Sequence, residues 1–243
     1  MQFISEQGID DGTVLERNFT FDAIPGILWT LTSESPTPLI LLGHTAGLPR
    51  MYPRLLARAQ HAAAQGYAAA TIELPGSGER PRIPGIDRAR ADLHRVLQAG
   101  EQVTDEIVDR LVLPLVDQSV AEWRAVLDAL LALPEIVGPV GYSGGVIAIG
   151  TRLAVAEPRI SAAVLFAGSL VPRATLQEAP QITIPLHVLL QWDDEGNDRQ
   201  VALNLFDAFG SKDKTLNANM GGHMGVPQHA GEEASRFFAR HLG

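Results

Sequence analysis

Cysteine is absent from the 243-residue sequence, which excludes disulfide bonds, thiolate metal ligands and a cysteine nucleophile. The sequence also lacks a run of about 18 apolar residues, which argues against a membrane-spanning helix. The first twelve residues, MQFISEQGIDDG, contain no basic segment followed by an apolar one and so do not resemble a secretory signal. We therefore expect a cytoplasmic protein with no membrane partner.

Positive charge is scarce: 19 Lys and Arg residues stand against 28 Asp and Glu residues, a formal net charge of −9. A nucleic-acid partner would require a basic surface, so we expect none. The histidines are scattered and do not form the pairs or clusters of a zinc site. No G-x-G-x-x-G motif follows a predicted strand. The sequence therefore predicts neither a metal nor a cofactor.

Apolar runs of strand length alternate with helical segments along most of the chain. Hydrophobic residues make up 46% of the sequence and charged residues 19%, as in a protein with a sizeable core. This rhythm predicts one α/β domain over residues 1–243, with a mostly parallel, twisted sheet and helices on both faces. The predicted strands are 17–24, 26–32, 38–43, 67–74, 138–142, 161–168, 183–191 and 213–218, the first two joined by a hairpin turn at Pro25-Gly26. The predicted helices outside the interruption described next are 51–65, 145–156, 199–209 and 231–242.

Residues 75–118 interrupt the alternation and predict a helical cap inserted over one edge of the sheet. A turn-rich loop opens the segment, and a helix is predicted at about 87–112. Ser119 and Glu122 then form a capping box, which predicts the start of the next helix. Five arginines and two aspartates lie within 80–95. A solvated helix face explains them most simply, and the alternative is that one arginine binds a substrate carboxylate.

The segment GYSGG (141–145) matches G-x-S-x-G between a predicted strand and a predicted helix. In such a turn the backbone of the serine is expected to be strained, so its neighbours must be small. The turn would raise the hydroxyl of Ser143 to the carboxyl edge of the parallel strands, where open α/β sheets bind ligands. The motif therefore predicts Ser143 as a nucleophile.

A serine nucleophile needs a base, and in this motif the chain order is serine, acid, histidine. Four histidines follow Ser143. His187 lies in an apolar strand, where packing is the better interpretation, and His229 and His241 belong to the last helix and are expected to be solvated. His223 lies in a glycine-flanked loop after the last strand, and we therefore predict it as the general base.

The acid that orients the histidine is expected directly after the strand at 183–191. That stretch contains Asp193, Asp194, Glu195 and Asp198. One of them would hold the imidazole in the correct tautomer. Position in the chain does not separate Asp193 from Asp194.

Backbone N–H groups must also point at the developing oxyanion. One is expected from Gly144, the residue after the nucleophile. The second is expected from the loop GHTAG (43–47), with Ala46 as the preferred donor and Thr45 as the alternative. His44 is expected to brace this loop.

Together these segments resemble the α/β-hydrolase fold and, within it, the dienelactone-hydrolase-like and small-esterase branches. The segments that carry the resemblance are LLGHTAG, TIELPGSGERP, GYSGG, LLQWDDE and NMGGHMGVP, in that order. Alignment of DDEGND with the family's D-x-x-V-P pattern favours Asp194 over Asp193. Dienelactone hydrolases proper use a cysteine nucleophile, so Ser143 favours a carboxylesterase.

The resemblance implies a metal-free serine hydrolase that cleaves a small carboxylic ester or lactone through an acyl-enzyme. Ser143, Asp194 and His223 would form the catalytic triad. The alternatives are a non-catalytic ligand receptor or scaffold on the same fold, and a hydrolase of amides or peptides or an acyltransferase that uses the same residues.

Overall fold

The apolar runs pair into one continuous sheet in the computed structural model, which describes residues 1–33, 35–168, 170–227 and 229–243. Over these residues the sheet has nine strands and is accompanied by seven α-helices. The strands are β1 (Gln2–Ile9), β2 (Val14–Phe21), β3 (Ile24–Leu31), β4 (Thr37–Gly43), β5 (Ala68–Ile72), β6 (Ile136–Gly144), β7 (Ile160–Phe166), β8 (Leu186–Gln191) and β9 (Lys214–Asn219). The helices are α1 (Leu48–Ala63), α2 (Ile86–Gln98), α3 (Asp105–Leu131), α4 (Ile147–Ala156), α5 (Arg173–Glu178), α6 (Arg199–Ala208) and α7 (His229–His241).

The order of the strands across the sheet is β1-β2-β3-β5-β4-β6-β7-β8-β9. Strands β4 to β9 pair in parallel, while β1, β2 and β3 are antiparallel to their neighbours. The chain leaves β4 through α1 to reach β5 on one side, and β6 lies on the other side of β4. Such a reversal of direction opens a crevice at the carboxyl ends of the two strands. The mostly parallel sheet confirms the predicted α/β class.

Helices cover both faces of the sheet because its central strands are apolar on both sides. Along β4, Leu39 and Leu41 join the buried cluster that packs under α3 and α4, whereas Ile40 and Leu42 join the cluster under α1 and α7. Successive side chains of a strand point to opposite faces, so a continuous apolar run produces two cores. The apolar run at 38–43 is therefore the pattern expected of a strand that is covered by helices on both faces.

The N-terminal part of the sheet differs from its prediction in two ways. The hairpin turns at Asp22 and Ala23, with φ of 47° and 66°, and not at Pro25-Gly26, which lie inside β3. Two consecutive positive φ values give a turn whose twist matches the flanking strands. Gly26 is small for a packing reason, since a Cβ there would lie 2.3 Å from the ring of Phe19. Strand β1 was not predicted at all.

The single helix predicted at about 87–112 is two helices in the structure, α2 and α3. The second of them runs beyond residue 118, the predicted end of the insertion. Helix α2 ends at Gln98, and α3 continues through residue 118 to Leu131. Thr104 begins α3, because its side chain accepts a hydrogen bond from the N–H of Ile107 at 3.4 Å. The prediction of a helix start at Ser119 was therefore wrong: Ser119 is buried in the middle of α3. None of the helices in the described ranges is long and apolar enough to cross a membrane.

Candidate active site

Ser143 lies near the carboxyl end of β6, one residue before the strand ends, at the crevice between β4 and β6. Ser143 pairs with Leu42 on one side and with Val164 on the other. The left-handed backbone expected of the serine is carried by the next two residues, since Gly144 and Gly145 both have φ of 76° and Ser143 is not among the described residues with positive φ. The expectation of a strained serine was wrong, because glycine adopts this conformation at little cost.

Gly145 also allows the turn to pack closely against the end of β4. A Cβ at this position would lie 2.9 Å from the Cα of Gly43 and 3.0 Å from the backbone nitrogen of His44. Real side chains do not fit at such distances, so a side chain there would push the serine turn away from the loop that follows β4.

Arg58 of α1 links the same two segments and was not singled out from the sequence. Its guanidinium donates to the carbonyl oxygen of Gly43 at 2.8 Å and to the carbonyl oxygen of Ser143. Burial lowers the pKa of Arg58 to about 10, so the group remains charged near neutral pH. In the sequence Arg58 is one arginine of an alanine-rich helix, and this does not reveal partners that are distant in the chain.

Asp194 and His223 meet at the carboxyl end of β8. The carboxylate oxygen Oδ2 of Asp194 accepts a hydrogen bond from Nδ1 of His223 at 2.7 Å, and Oδ1 accepts one from the N–H of Gly196 at 3.0 Å. The Asp194 side chain is 2% exposed and that of His223 is 44% exposed. Because Nδ1 faces a carboxylate, the proton sits on Nδ1 in the neutral ring and the free lone pair is on Nε2.

The three other acidic residues of this loop have different surroundings. Asp193 and Glu195 are exposed. Asp198 caps α6, accepting a hydrogen bond from the N–H of Gln200 at 2.8 Å. Asp194 is therefore the residue of the four that pairs with the predicted base.

Ser143 and His223 line the same cavity, of about 590 Å³, which we call the main cavity. The hydrogen bonds of the described residues include none between the hydroxyl of Ser143 and the imidazole of His223. The ring of His223 packs edge-on against Phe166, with 5.4 Å between ring centroids. A hydrogen bond between a catalytic serine and histidine is often long or absent until substrate binds.

His187 and His241, two of the four histidines that follow Ser143, are enclosed by the protein. His187 is buried, and its Nδ1 lies 2.7 Å from the hydroxyl of Thr215, as its apolar strand predicted. His241 is also largely enclosed, with 12% of its side chain exposed and its ring 4.7 Å from that of Phe237. The expectation that His241 is solvated was wrong, because it lies one helical turn after the buried Phe237, on the same face of α7.

The loop after β4 approaches the serine from the other side of the crevice. Thr45 lines the main cavity, whereas Ala46 is not among the described residues that line it. His44 is buried with Nε2 2.8 Å from the carbonyl oxygen of Ile72 and Nδ1 2.5 Å from that of Ala46. Burial lowers the pKa of His44, and the two carbonyls oppose this in part. His44 thus braces the loop, as expected.

Glu73 supports this loop from beneath and was also missed. Its carboxylate accepts hydrogen bonds from the N–H groups of Leu48 at 2.9 Å and of Leu74 at 3.0 Å. Gly47, which precedes α1, has no side chain to cap the helix. The buried carboxylate of Glu73, the residue directly after β5, therefore takes the place of the usual N-cap.

A second cavity, of about 430 Å³, is lined by residues 74–77, Val146, His223 and residues of α2 and α3. Its walls are largely apolar, and it shares Thr45 and His223 with the main cavity. The cap arginines are mostly paired: Arg80 binds Glu122 and the carbonyl of Glu73, while Arg82 pairs with Asp87 at 2.9 Å. Within the described ranges no group of three or more His, Asp or Glu side chains could hold a metal ion.

The chain is similar along its whole length to a cold-adapted esterase from an Arctic intertidal metagenomic library, with a TM-score of 0.78, 27% identity and 100% of both chains covered. An acetyl xylan esterase from Paenibacillus sp. R4 has a TM-score of 0.70 at 16% identity, over 99% of this chain and 88% of that one. The esterase Pf2001 from Pyrococcus furiosus has a TM-score of 0.66 at 12% identity, over 94% and 92%. No protein-family model and no curated protein matches the chain.

The strand order, the serine turn and these structural relatives agree on one architecture. The chain has the α/β-hydrolase fold, which confirms the resemblance drawn from its motifs.

Proposed function

We propose that this protein is a metal-free serine hydrolase that cleaves a small carboxylic ester or lactone. Ser143 is the nucleophile, His223 the general base and Asp194 the residue that orients His223. The observation that carries the proposal is the 2.7 Å hydrogen bond between Asp194 and Nδ1 of His223, at the cavity that Ser143 also lines. The esterase names of its structural relatives support ester bonds as the target.

Acylation begins when Nε2 of His223 takes the proton of the Ser143 hydroxyl. The serine oxygen attacks the ester carbonyl, and Nε2 then gives the proton to the leaving alcohol. Asp194 stabilises the imidazolium that forms in between. Water repeats the sequence on the acyl-enzyme and releases the acid, so that the net reaction consumes one water.

The oxyanion is stabilised by the N–H of Gly144 and by a second N–H from the loop after β4. We favour Thr45 over Ala46 as the second donor, because Thr45 lines the main cavity. The hydrogen bonds from Arg58 and to Glu73 support this arrangement by holding the two donor segments close together. Preorganised donors of this kind contribute roughly 3–4 kcal/mol each to catalysis.

Residues 75–118 act as the cap over this site within a single domain. The second cavity supports this role, since Ile86 and Arg90 of α2 and Leu111 of α3 line it together with His223. A substrate group held there would be shielded from water.

The test is the hydrolysis of 4-nitrophenyl acetate and butyrate by the wild-type protein, Ser143→Ala and Ser161→Ala. Ser161 lies on the neighbouring strand β7 and serves as the matched control. Ser143→Ala is expected to lose about a thousandfold or more in kcat, whereas Ser161→Ala keeps wild-type rates. Near-full activity in Ser143→Ala, with the protein folded, would reject the mechanism. The absence of ester turnover in the wild type would favour a ligand receptor.

A further inference from the structure

The main cavity has an unusual charge for this chain. Arg54, Arg58 and His61 of α1 line it, together with His44 and His223. None of the described residues that line it is an aspartate or a glutamate, although the chain has 28 acidic residues and a net charge of −9. A basic cavity in an acidic protein attracts anions to that place in particular.

Neither arginine of this cavity has a carboxylate partner within the described ranges. Arg54 is exposed, and its polar contact is with the sulfur of Met224 at 3.5 Å. Arg58 donates only to main-chain carbonyls. The arginines of the cap differ in this respect, since Arg80 and Arg82 have acidic partners. The guanidinium of Arg54 is therefore available to a ligand, while Arg58, which holds the carbonyls of Gly43 and Ser143, adds its positive charge beside it.

The helices that form the cavity leave room beside these charges. Arg54, Arg58 and His61 are spaced along one face of α1. The part of α7 that lines the same cavity is made mostly of small residues: Ala230, Gly231, Ala234 and Ser235. A Cβ on Gly231 would come within 4.0 Å of Nε2 of His61.

The main cavity and the second cavity meet at the proposed general base. Both are lined by His223 and Thr45, and the main cavity also reaches Ser143. An ester has one group on each side of its carbonyl. The second cavity is largely apolar, and its two arginines, Arg82 and Arg90, pair with Asp87, so it suits one of these groups. The main cavity, whose arginines have no carboxylate partner within the described ranges, suits a different one.

We propose that the substrates of this protein carry a carboxylate on one side of the ester bond, and that Arg54 beside Arg58 binds this carboxylate in the main cavity. The inference rests on the proposed function, because it assigns a substrate class to the same site. It differs from the expectation that a cap arginine binds the substrate. Arginine is the side chain best suited to a carboxylate, which it can bind through two N–H groups.

The test compares two pairs of esters. In each pair one member carries a carboxylate and the other is its neutral methyl ester. One pair places the charge on the acyl side: the mono-4-nitrophenyl ester of adipate and its methyl ester. The other pair places it on the alcohol side: 4-acetoxybenzoate and methyl 4-acetoxybenzoate. In one pair we expect the anionic member to have a kcat/KM at least tenfold higher, after subtraction of the enzyme-free rate. The preference should shrink in 0.5 M salt, because salt screens partly exposed charges.

Arg54→Gln is expected to reduce this preference to within about threefold of unity, and Arg54→Lys to retain part of it. Arg50→Gln removes an exposed charge from the same helix outside the cavity and should leave the preference unchanged. Equal rates within both wild-type pairs would overturn the inference while the proposed function stands. So would an anionic preference that survives Arg54→Gln.

A binding measurement keeps the inference separate from catalysis. Calorimetry on the Ser143→Ala protein is expected to show binding of monomethyl adipate and at least tenfold weaker binding of dimethyl adipate. Addition of Arg54→Gln should abolish that difference. If the wild type hydrolyses no ester, the proposed function fails, and this titration alone decides whether the cavity selects carboxylates. Equal binding of these two compounds, together with equal binding of 4-acetoxybenzoate and its methyl ester, would refute the inference.

Discussion

Asp194 holds Nδ1 of His223 at 2.7 Å, while Asp193, its neighbour in the chain, is exposed and makes no such contact within the described structure. The side chains of adjacent residues leave the backbone in different directions. As the strand gives way to its loop, one aspartate is buried beside the imidazole and the other faces solvent. This geometry separates two residues that chain order could not.

The first prediction compares these two aspartates. Asp194→Asn should lower kcat for ester hydrolysis by about a thousandfold or more, because the amide cannot hold His223 in the required tautomer. Asp193→Asn makes the same chemical change one residue away and should stay within about twofold of the wild type. Steady-state kinetics on both variants make the comparison. A larger loss in Asp193→Asn than in Asp194→Asn would reverse the assignment.

The second prediction concerns Glu73. Glu73→Ala removes the acceptor of two buried N–H groups, at Leu48 and Leu74, and so should lower the free energy of unfolding by about 2 kcal/mol. It should also lower kcat/KM, since the loop that carries the proposed second oxyanion donor loses its support. Glu79→Ala, at an exposed site of the same segment, should change stability by less than about 0.5 kcal/mol.

Urea denaturation and steady-state kinetics of the two variants test this account. If Glu73→Ala keeps the stability and kcat/KM of Glu79→Ala, the carboxylate does not support the loop.

The sheet was predictable because each central strand is an apolar run, and the serine and acid loops were predictable because each follows such a strand. The histidine loop was predictable from its flanking glycines, since β9 before it reads KTLNAN and is not an apolar run. The start of α3 was not. The pattern at Ser119 and Glu122 satisfies the local rule for a capping box, but the apolar face of α3 continues from Val112 and Val116 past this point, so tertiary packing overrides it. A capping-box pattern therefore predicts where a helix begins only if tertiary packing does not extend the helix past that point.

That correction gives a third prediction. Thr104→Ala removes the observed N-cap and should cost about 1 kcal/mol of unfolding free energy. Ser119→Ala should cost less than this or stabilise the protein, because the buried Ser119 hydroxyl has no hydrogen-bond partner in the described structure. Thermal or urea denaturation of both variants checks the order. A greater loss at Ser119 would restore the predicted capping box.

Arg58 and Glu73 could not be predicted because their roles depend on distant backbone. Arg58 contacts the carbonyls of Gly43 and Ser143, and Glu73 contacts the first turn of α1. In the sequence each is one charged residue among many. Its importance arises only when the sheet places the ends of β4 and β6 side by side.

The fourth prediction is a pH dependence of stability. Burial lowers the pKa of His187, with a smaller opposing effect of Glu233, and its Nε2 is enclosed without a partner among the described residues. The unfolded chain therefore binds a proton at a higher pH than the folded protein does. The free energy of unfolding should fall as pH drops below about 6.5, by at most about 1.4 kcal/mol per pH unit for this group.

His187→Met should reduce that slope, and urea titrations at pH 5, 6, 7 and 8 measure it. The exposed His94→Met should keep the wild-type slope, because His187 and the buried His44 are intact in it. A slope that is unchanged in His187→Met would show that the imidazole at this position does not couple folding to protons.

The most direct test of the whole account is covalent labelling of the nucleophile. A fluorophosphonate reacts with a serine only where a base and an oxyanion site activate the hydroxyl. Intact-mass spectrometry should show one added phosphonyl group on the wild-type protein, and peptide mapping should locate it on Ser143. Asp194→Asn should react far more slowly. A wild-type protein that stays unlabelled under conditions that label a known serine esterase, or that is labelled at another residue, would contradict the account.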